Sequence, residues 1–289
     1  MLITLKNEVG AFEIGGGRHR TARLTEIGGL GIAAKEITSV TFPSQSGYTV
    51  QKVRDTERVI TMSFDFYGEP YQTERLYKIL YRPLDIYFNR GDGVRRKISA
   101  YMSETCEIEN IIFHRWQKIT LQFVCPSPYF TDENETVKNI GGFEDKFPNA
   151  YEGSEWKISL PSVATARTTR RSILNNGDVI VYPVFEVKNY GGNSQSIANH
   201  TVTIKNYTTG KYITVTVPIT SSTTVIIDVP KRKITSNGTV ITDKLSNSSV
   251  LSEMYLAIGE NDIAIWTNDA NDIISMDIKY KNNYAAVII

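Results

Sequence analysis

Val59-Ile60-Thr61-Met62-Ser63-Phe64-Asp65-Phe66-Tyr67 alternates without a break. Ile60, Met62, Phe64 and Phe66 fall on one side of an extended chain, and Thr61, Ser63 and Asp65 on the other. That period of two marks a half-buried β-strand. Ile119, Leu121, Phe123 and Cys125 repeat the pattern against Lys118, Thr120 and Gln122. Between these runs the period changes: Leu76, Ile79 and Leu80 stand at helical spacing within Pro70 to Tyr81. Pro70 suits a first-turn position and Pro83 stops continuation. The first part is therefore expected to be one helix packed on an antiparallel sheet.

Further along, the helical period disappears. Val202 and Ile204, then Ile213, Val215 and Val217, then Val225, Ile227 and Val229, then Ile274, Met276, Ile278 and Tyr280 alternate with polar neighbours. Thr209-Gly210 and Asn237-Gly238 supply turns between such runs,. Many short strands with frequent turns predict an all-β sandwich or jelly roll.

The chain has 289 residues, 41% hydrophobic and 22% charged, a composition that suits a globular protein of about two domains,. A cut after Asp132 separates two surfaces. Asparagine occurs three times before the cut and sixteen times after it, while arginine falls from eleven to four. Net charge is 17 minus 15, or +2, before the cut and 15 minus 16, or −1, after it. The expected domains are 1–132 and 133–289, with a linker and a long loop inside 133–171, where Gly141-Gly142, Pro148, Gly153 and Pro161 break any pattern,. A total of +1 gives no electrostatic basis for a nucleic-acid binder,.

Lys6 and Glu8 interrupt the N-terminus before a secretory apolar stretch could form, so the chain is expected to fold in a cytoplasm,. The longest apolar run near the C-terminus, Ala285 to Ile289, falls far short of a membrane span, and no membrane insertion is expected,. Cys106 and Cys125 lack CxxC spacing and read as buried free thiols,.

Candidate chemistry is sparse. His19, His114 and His200 lack the paired spacing of a metal site,. Gly15-Gly16-Gly17-Arg18-His19-Arg20 lacks the context of a phosphate-binding loop and reads as a basic surface loop,. Arg90-Gly91-Asp92-Gly93 spells an integrin tripeptide but also has the composition of a hairpin turn between Ile86-Tyr87-Phe88 and Arg95-Arg96-Lys97-Ile98,. Glu107 with Glu109, and Asp132 with Glu133, are acidic pairs that read as solvated loop carboxylates, because glycosidase work needs two facing each other across a cleft,. Trp156, Tyr190, Tyr207, Tyr212 and Trp266 could line a sugar-binding face or serve cores and interfaces,. No catalytic, metal-binding or cofactor-binding residues are assigned. A two-domain, β-rich, non-enzymatic protein is expected.

Several stretches carry a family resemblance. Arg58-Val59-Ile60-Thr61-Met62-Ser63-Phe64, the helix with Leu76-Tyr77-Lys78-Ile79-Leu80, and Val124-Cys125-Pro126-Ser127-Pro128-Tyr129-Phe130 resemble the distal tail proteins (Dit) of tailed bacteriophages. Ile173-Leu174-Asn175-Asn176-Gly177-Asp178, Tyr182-Pro183-Val184-Phe185, Ile204-Lys205-Asn206-Tyr207-Thr208-Thr209-Gly210, Ile227-Asp228-Val229 and Leu256-Ala257-Ile258-Gly259-Glu260-Asn261-Asp262-Ile263 are similar to that family's C-terminal domain in the same order.

The resemblance implies a mainly β protein: an N-terminal ring-forming β-sandwich or split-barrel-like domain with one helix, and a C-terminal galectin-like β-sandwich. It implies a structural virion protein at the distal end of the tail, assembled in the host cytoplasm. Six copies would form a ring with a central channel for DNA. The implied partners are its own copies, the major tail tube protein, a tail-tip or tail-associated protein, and receptor-binding proteins. Arg95 and Arg96 are expected to serve carboxylate pairs between subunits, for which a planar guanidinium is suited. A carbohydrate-binding adsorption protein is the chief alternative, with a tail-tip hydrolase as a third class. Channel DNA should pass without being held, since few positive charges are uncompensated.

Overall fold

The computed structural model describes residues 2–16, 21–44, 46–67, 69–91, 93–104, 115–141, 143–144, 166–167, 169–189, 200–218, 222–268 and 274–287. The chain forms two compact units, 1–134 with 283–289, and 135–282. The expected division at Asp132 gave the last residues to the second domain. Instead 283–289 belong to the first unit, because Asn283–Tyr284 pairs with a strand there.

The first unit holds β1 (Leu2–Lys6), β2 (Ala11–Gly15), β3 (Ala22–Gly28), β4 (Lys35–Val40), β5 (Thr49–Asp55), β6 (Arg58–Tyr67), α1 (Pro70–Leu80), β7 (Leu84–Asn89), β8 (Arg95–Met102), β9 (Trp116–Cys125) and β10 (Phe130–Asp132). Its main sheet runs β8-β7-β1-β2-β3-β6-β9, and β8 pairs again with β9 through Tyr101 opposite Val124 and Met102 opposite Phe123. The seven strands thus close on themselves as a barrel-like sheet. Closure removes exposed sheet edges.

The alternation read at 59–67 places Ile60, Met62, Phe64 and Phe66 in the interior, where Phe12, Phe64 and Phe66 meet at centroid distances of 5.8 to 6.5 Å. Helix α1 begins on Pro70 as expected and buries Thr73, Leu76, Ile79 and Leu80. Leu76, Ile79 and Leu80 join the same core. Cys125 is fully buried and free. Burial pushes its thiol up to about 11,.

The second unit holds β11 (Thr136–Ile140), β12 (Phe143–Glu144), β13 (Ala166–Arg167), β14 (Arg170–Asn175), β15 (Val184–Asn189), β16 (His200–Asn206), β17 (Tyr212–Val217), β18 (Thr224–Asp228), β19 (Lys233–Ser236), β20 (Thr239–Val240), β21 (Gly259–Thr267) and β22 (Ile274–Tyr280). A final strand, β23 (Asn283–Tyr284), returns to the first unit beside β10. Two sheets, β11-β22-β15-β18-β19-β20 and β14-β21-β16-β17, bury one apolar core between them. The inward positions are those the alternation predicts: Val202 and Ile204, Ile213 and Val215, Val225 and Ile227, Met276 and Ile278. Residues 136–140, inside the expected linker, form an edge strand on β22; only Ile140 of the five is buried, which is why the pattern is faint. Most of the expected loop at 153–171 lies outside the described residues.

Asparagines explain part of the composition of this unit. Asn175, Asn206 and Asn261 are buried to 1% exposure or less. Each folds a turn onto itself: Asn175 Oδ1 accepts from Gly177 N–H, Asn206 Oδ1 from Thr208 N–H, and Asn261 Oδ1 from Ala257 N–H. Their amides donate to the carbonyls of Val179, Tyr255, Ala257 and Gly259. The short side chain reaches local backbone groups that would otherwise be buried without partners.

Candidate functional site

Two surfaces stand out by exposing groups that folding ordinarily covers. The first is the hairpin β4–β5 of the first unit, a two-stranded sheet of its own. Every residue from Lys35 to Ser39 and from Thr49 to Arg54 is exposed. Ile37 faces Val53 across the ladder, and Val50 follows on that face beyond a register shift at Thr38/Ser39. The three are 48 to 52% exposed, and Phe42 and Tyr48 toward the tip are 53% and 60% exposed. The opposite face carries Glu36 paired with Arg54 at 2.5 Å. An isolated two-stranded hairpin is at best marginally stable in water, so this apolar face has the character of an interface. The sequence does not show this face, because Val50 and Val53 stand three apart and only the register shift in the ladder brings them to one side.

At the root of the hairpin, Tyr129 donates its hydroxyl to Asp55. Burial, and then that hydrogen bond, push the phenol up to about 12. Nearby, Arg58 is 3% exposed and has no carboxylate partner among the described residues. It donates instead to the carbonyls of Pro128, Gly29, Gly31 and Ala285 at 2.5 to 2.7 Å. Its guanidinium also lies 4.5 Å from the Phe130 ring centroid. Gly29 has φ of +84°, and a Cβ there would sit 2.0 Å from the Val59 carbonyl oxygen, so no other residue fits,.

The second surface is the outer face of β14-β21-β16-β17. Trp266 lies opposite Thr203, and Lys205 opposite both Tyr212 and Ala264. Trp266, Tyr207 and Tyr212 are 40 to 45% exposed on this face. The Tyr207 ring lies 4.4 Å from the Arg170 guanidinium and 4.7 Å from Lys205 Nζ. Arg170 also grips both carboxylate oxygens of Asp262. That hydrogen bonding raises the pKa of Arg170 and lowers that of Asp262. Of the five aromatics that could line a sugar-binding face or serve cores and interfaces, these three come together, and Trp156 and Tyr190 lie outside the described residues.

The other candidates resolve as follows. Arg96 pairs with Asp132 at 2.5 Å and stacks 3.6 Å from the Tyr284 ring centroid; Arg95 reaches Glu133 at 3.3 Å. Each of these arginines, expected to serve inter-subunit pairs, has a carboxylate of its own chain within reach, since Asp132 lies opposite Arg96 in the β8–β10 ladder and Glu133 follows it. The same pairing leaves neither Asp132 nor Glu133 as an uncommitted carboxylate. His200 is buried and has a partner. His19, His114, Cys106, Glu107, Glu109 and residues 17–20 lie outside the described residues. Asn89 to Arg95 forms the β7–β8 turn, with Asn89 Oδ1 accepting from Gly91 N–H; Asp92 is not among the described residues. An open groove of about 650 Å³ in the first unit is lined in part by Glu8, Arg82, Asp85 and Ser99. Its carboxylates are held: Glu8 by Arg82, and Asp85 by Lys97 at 2.9 Å and Ser99 at 2.6 Å. No three metal-ligating side chains converge among the described residues.

Residues 176–284 match the family model of the siphovirus-type tail component, C-terminal domain. Over these residues the second unit is similar to a phage tail-component domain. The match begins at Asn176 beside the buried Asn175 turn and runs to Tyr284, so it takes in the sandwich strands β15 to β22 and leaves out β11 and β14. No curated protein matches the chain by sequence.

Solved structures extend the likeness beyond the tail-component domain. The phage SPP1 Dit protein (gp 19.1), described as a paradigm of hub adsorption apparatus in Gram-positive infecting phages, superposes with a TM-score of 0.63 at 13% identity, over 91% of this chain and 93% of that one. A chain of the phage P2 baseplate in its activated conformation with Ca gives 0.51 at 10% identity over 99% of both chains. The same baseplate with Sr gives 0.51 at 9%. The chain as a whole has the mainly β, Dit-like fold that the sequence resemblance implied, a barrel-like sheet with one helix and a β-sandwich.

Proposed function

We propose that this protein is the distal hub of a phage tail, a structural virion component that closes into a ring, six copies in the family's usual form. The ring would join the tail tube to the tail-tip and receptor-binding proteins and surround the channel through which DNA leaves. The tail-component domain and the whole-chain likeness to a described hub protein support this reading. The observation that carries it is the β4–β5 hairpin. Its apolar face of Ile37, Val50 and Val53 is about half exposed and covers no core among the described residues. A ring requires heterologous contacts, one patch meeting a different patch on the next copy, and an arm of this kind supplies one side of such a contact.

Work of this kind is done by assembly and not by bond-breaking. The virion tail is accordingly the proposed location, with folding and assembly in the host cytoplasm.

Native mass spectrometry of the full chain, alone and with the tail-tube and tail-tip proteins of the same phage, tests the reading. A closed ring is expected, and the double variant Ile37→Asp/Val53→Asp should abolish it while circular dichroism shows the fold retained. A chain that stays monomeric in all these mixtures would overturn the hub.

A further inference from the structure

We propose that the outer face of β14-β21-β16-β17 is a carbohydrate-binding surface for neutral oligosaccharides, with Trp266 and Tyr212 as its stacking platforms. The two aromatics sit on strands that flank β16, in adjacent rows: Trp266 beside Thr203, and Tyr212 beside Lys205. Strand spacing and rise place their backbones about 12 Å apart, far enough to engage separate rings of one oligosaccharide. Among the described residues neither ring stacks on another ring or on a cation, so both are free to receive the apolar C–H face of a pyranose.

Tyr207 differs, because Arg170 and Lys205 already occupy its ring. Its part is to hold those two cations in place, with their N–H groups available to hydroxyls. Arg170 is further fixed by Asp262, and Thr203 bonds to Thr214 at 3.2 Å, so the polar frame between the aromatics is ordered before any ligand arrives,.

The composition of the face selects the class of ligand. Its aliphatic side chains point inward apart from Leu174 on the edge strand β14 and the small Ala264, and the outward positions of β16 and β17 carry Thr201, Thr203, Thr214 and Thr216. A protein partner would need an apolar centre, which this face lacks. Hydroxyl-bearing rings with one apolar side need what is present, aromatic plates among polar groups. The pairing of Arg170 with Asp262 and of Lys211 with Glu253 leaves little net charge to attract a polyanion.

The test uses the full chain and saturation-transfer NMR with maltotriose, N-acetylchitotriose and lactose as probes, followed by titration of those that respond. At least one probe should bind. Trp266→Ala and Tyr212→Ala should each weaken it by about tenfold, with circular dichroism and the oligomeric state of the chain unchanged. Ring assembly is read separately, so failure here leaves the hub reading intact. Binding to none of the probes, or binding that survives both substitutions, would overturn the proposal.

Discussion

Asn206 Nδ2 donates to Asn261 Oδ1 at 3.1 Å, joining two fully buried side chains that each organise a separate turn. Asn206 also donates to the Tyr255 carbonyl and accepts from Thr208 and Thr209 N–H groups; Asn261 holds Ala257 and Gly259. Replacing either with Ala leaves buried backbone groups without partners. The expected cost is about 2–3 kcal/mol for each. Because the two share a bond, the double variant should cost about 1 kcal/mol less than the sum. Urea unfolding of the four proteins, followed by a signal from the second unit, measures both quantities. Strict additivity would mean that the turns are independent.

Arg58 binds four carbonyls from three separate parts of the first unit, the most distant being Ala285. Arg58→Ala is expected to lower the stability of that unit by about 3–4 kcal/mol, since buried acceptors lose their donor and a cavity opens beside Phe130. Arg58→Lys should recover only part, because an ammonium cannot present the same planar fork. Thermal unfolding compared across the three proteins is the check.

Deleting 283–289 should destabilise the first unit in a similar way. The deletion removes the Ala285 acceptor, the bond from Val287 N–H to the Leu30 carbonyl, and the Tyr284 ring over Arg96. A truncated chain whose first unit melts at the same temperature would show that these contacts contribute little.

Alkaline pH should weaken the first unit. The Cys125 thiol moves from its ordinary value near 9 up to about 11, and the Tyr129 phenol from about 10 up to about 12. Both are raised in the folded state, so their stabilisation is complete below about pH 9 and is lost as pH climbs through the folded values. Melting temperature should fall between about pH 9 and 12, and Cys125→Ala should flatten the lower part of that decline. Cys125 should also resist alkylation at neutral pH until the chain unfolds.

Acid should act on the second unit. Hydrogen bonds from Lys188 and then Lys279 hold Glu186 below the ordinary carboxylate range, at 2.6 and 2.5 Å. A depressed folded value stabilises above the unfolded pKa, and that contribution disappears as pH falls below about 4. Glu186→Gln should be less stable at neutral pH and less sensitive to acid, which a melting series from pH 7 to pH 3 would show.

Much of the fold was legible in local pattern. Strand β6 carries its buried face at Ile60, Met62, Phe64 and Phe66 because side chains alternate strictly across a pleat, and helix α1 starts on Pro70 because its fixed φ suits a first turn,. Other features depend on partners distant in sequence. Arg96 belongs to Asp132 because β10 lies beside β8, a pairing that no spacing predicts. The asparagine excess after residue 132 was visible as a count. That three of these residues are buried turn-formers was not, since asparagine is more often exposed,.

By itself the sequence determined the β-rich class, the single helix, the inward-facing residues of both units and the family resemblance, because each follows from short-range periodicity or from motifs in order. Only the tertiary structure decided that β8 meets β9 to close the barrel, that 283–289 return to the first unit, and that Trp266, Tyr207 and Tyr212 share one face. It also decided that Ile37, Val50 and Val53 share an outward face across a register shift, while the alternating face of β6 meets a core. Alternation fixes which residues share a face, but only long-range pairing and packing decide what that face meets.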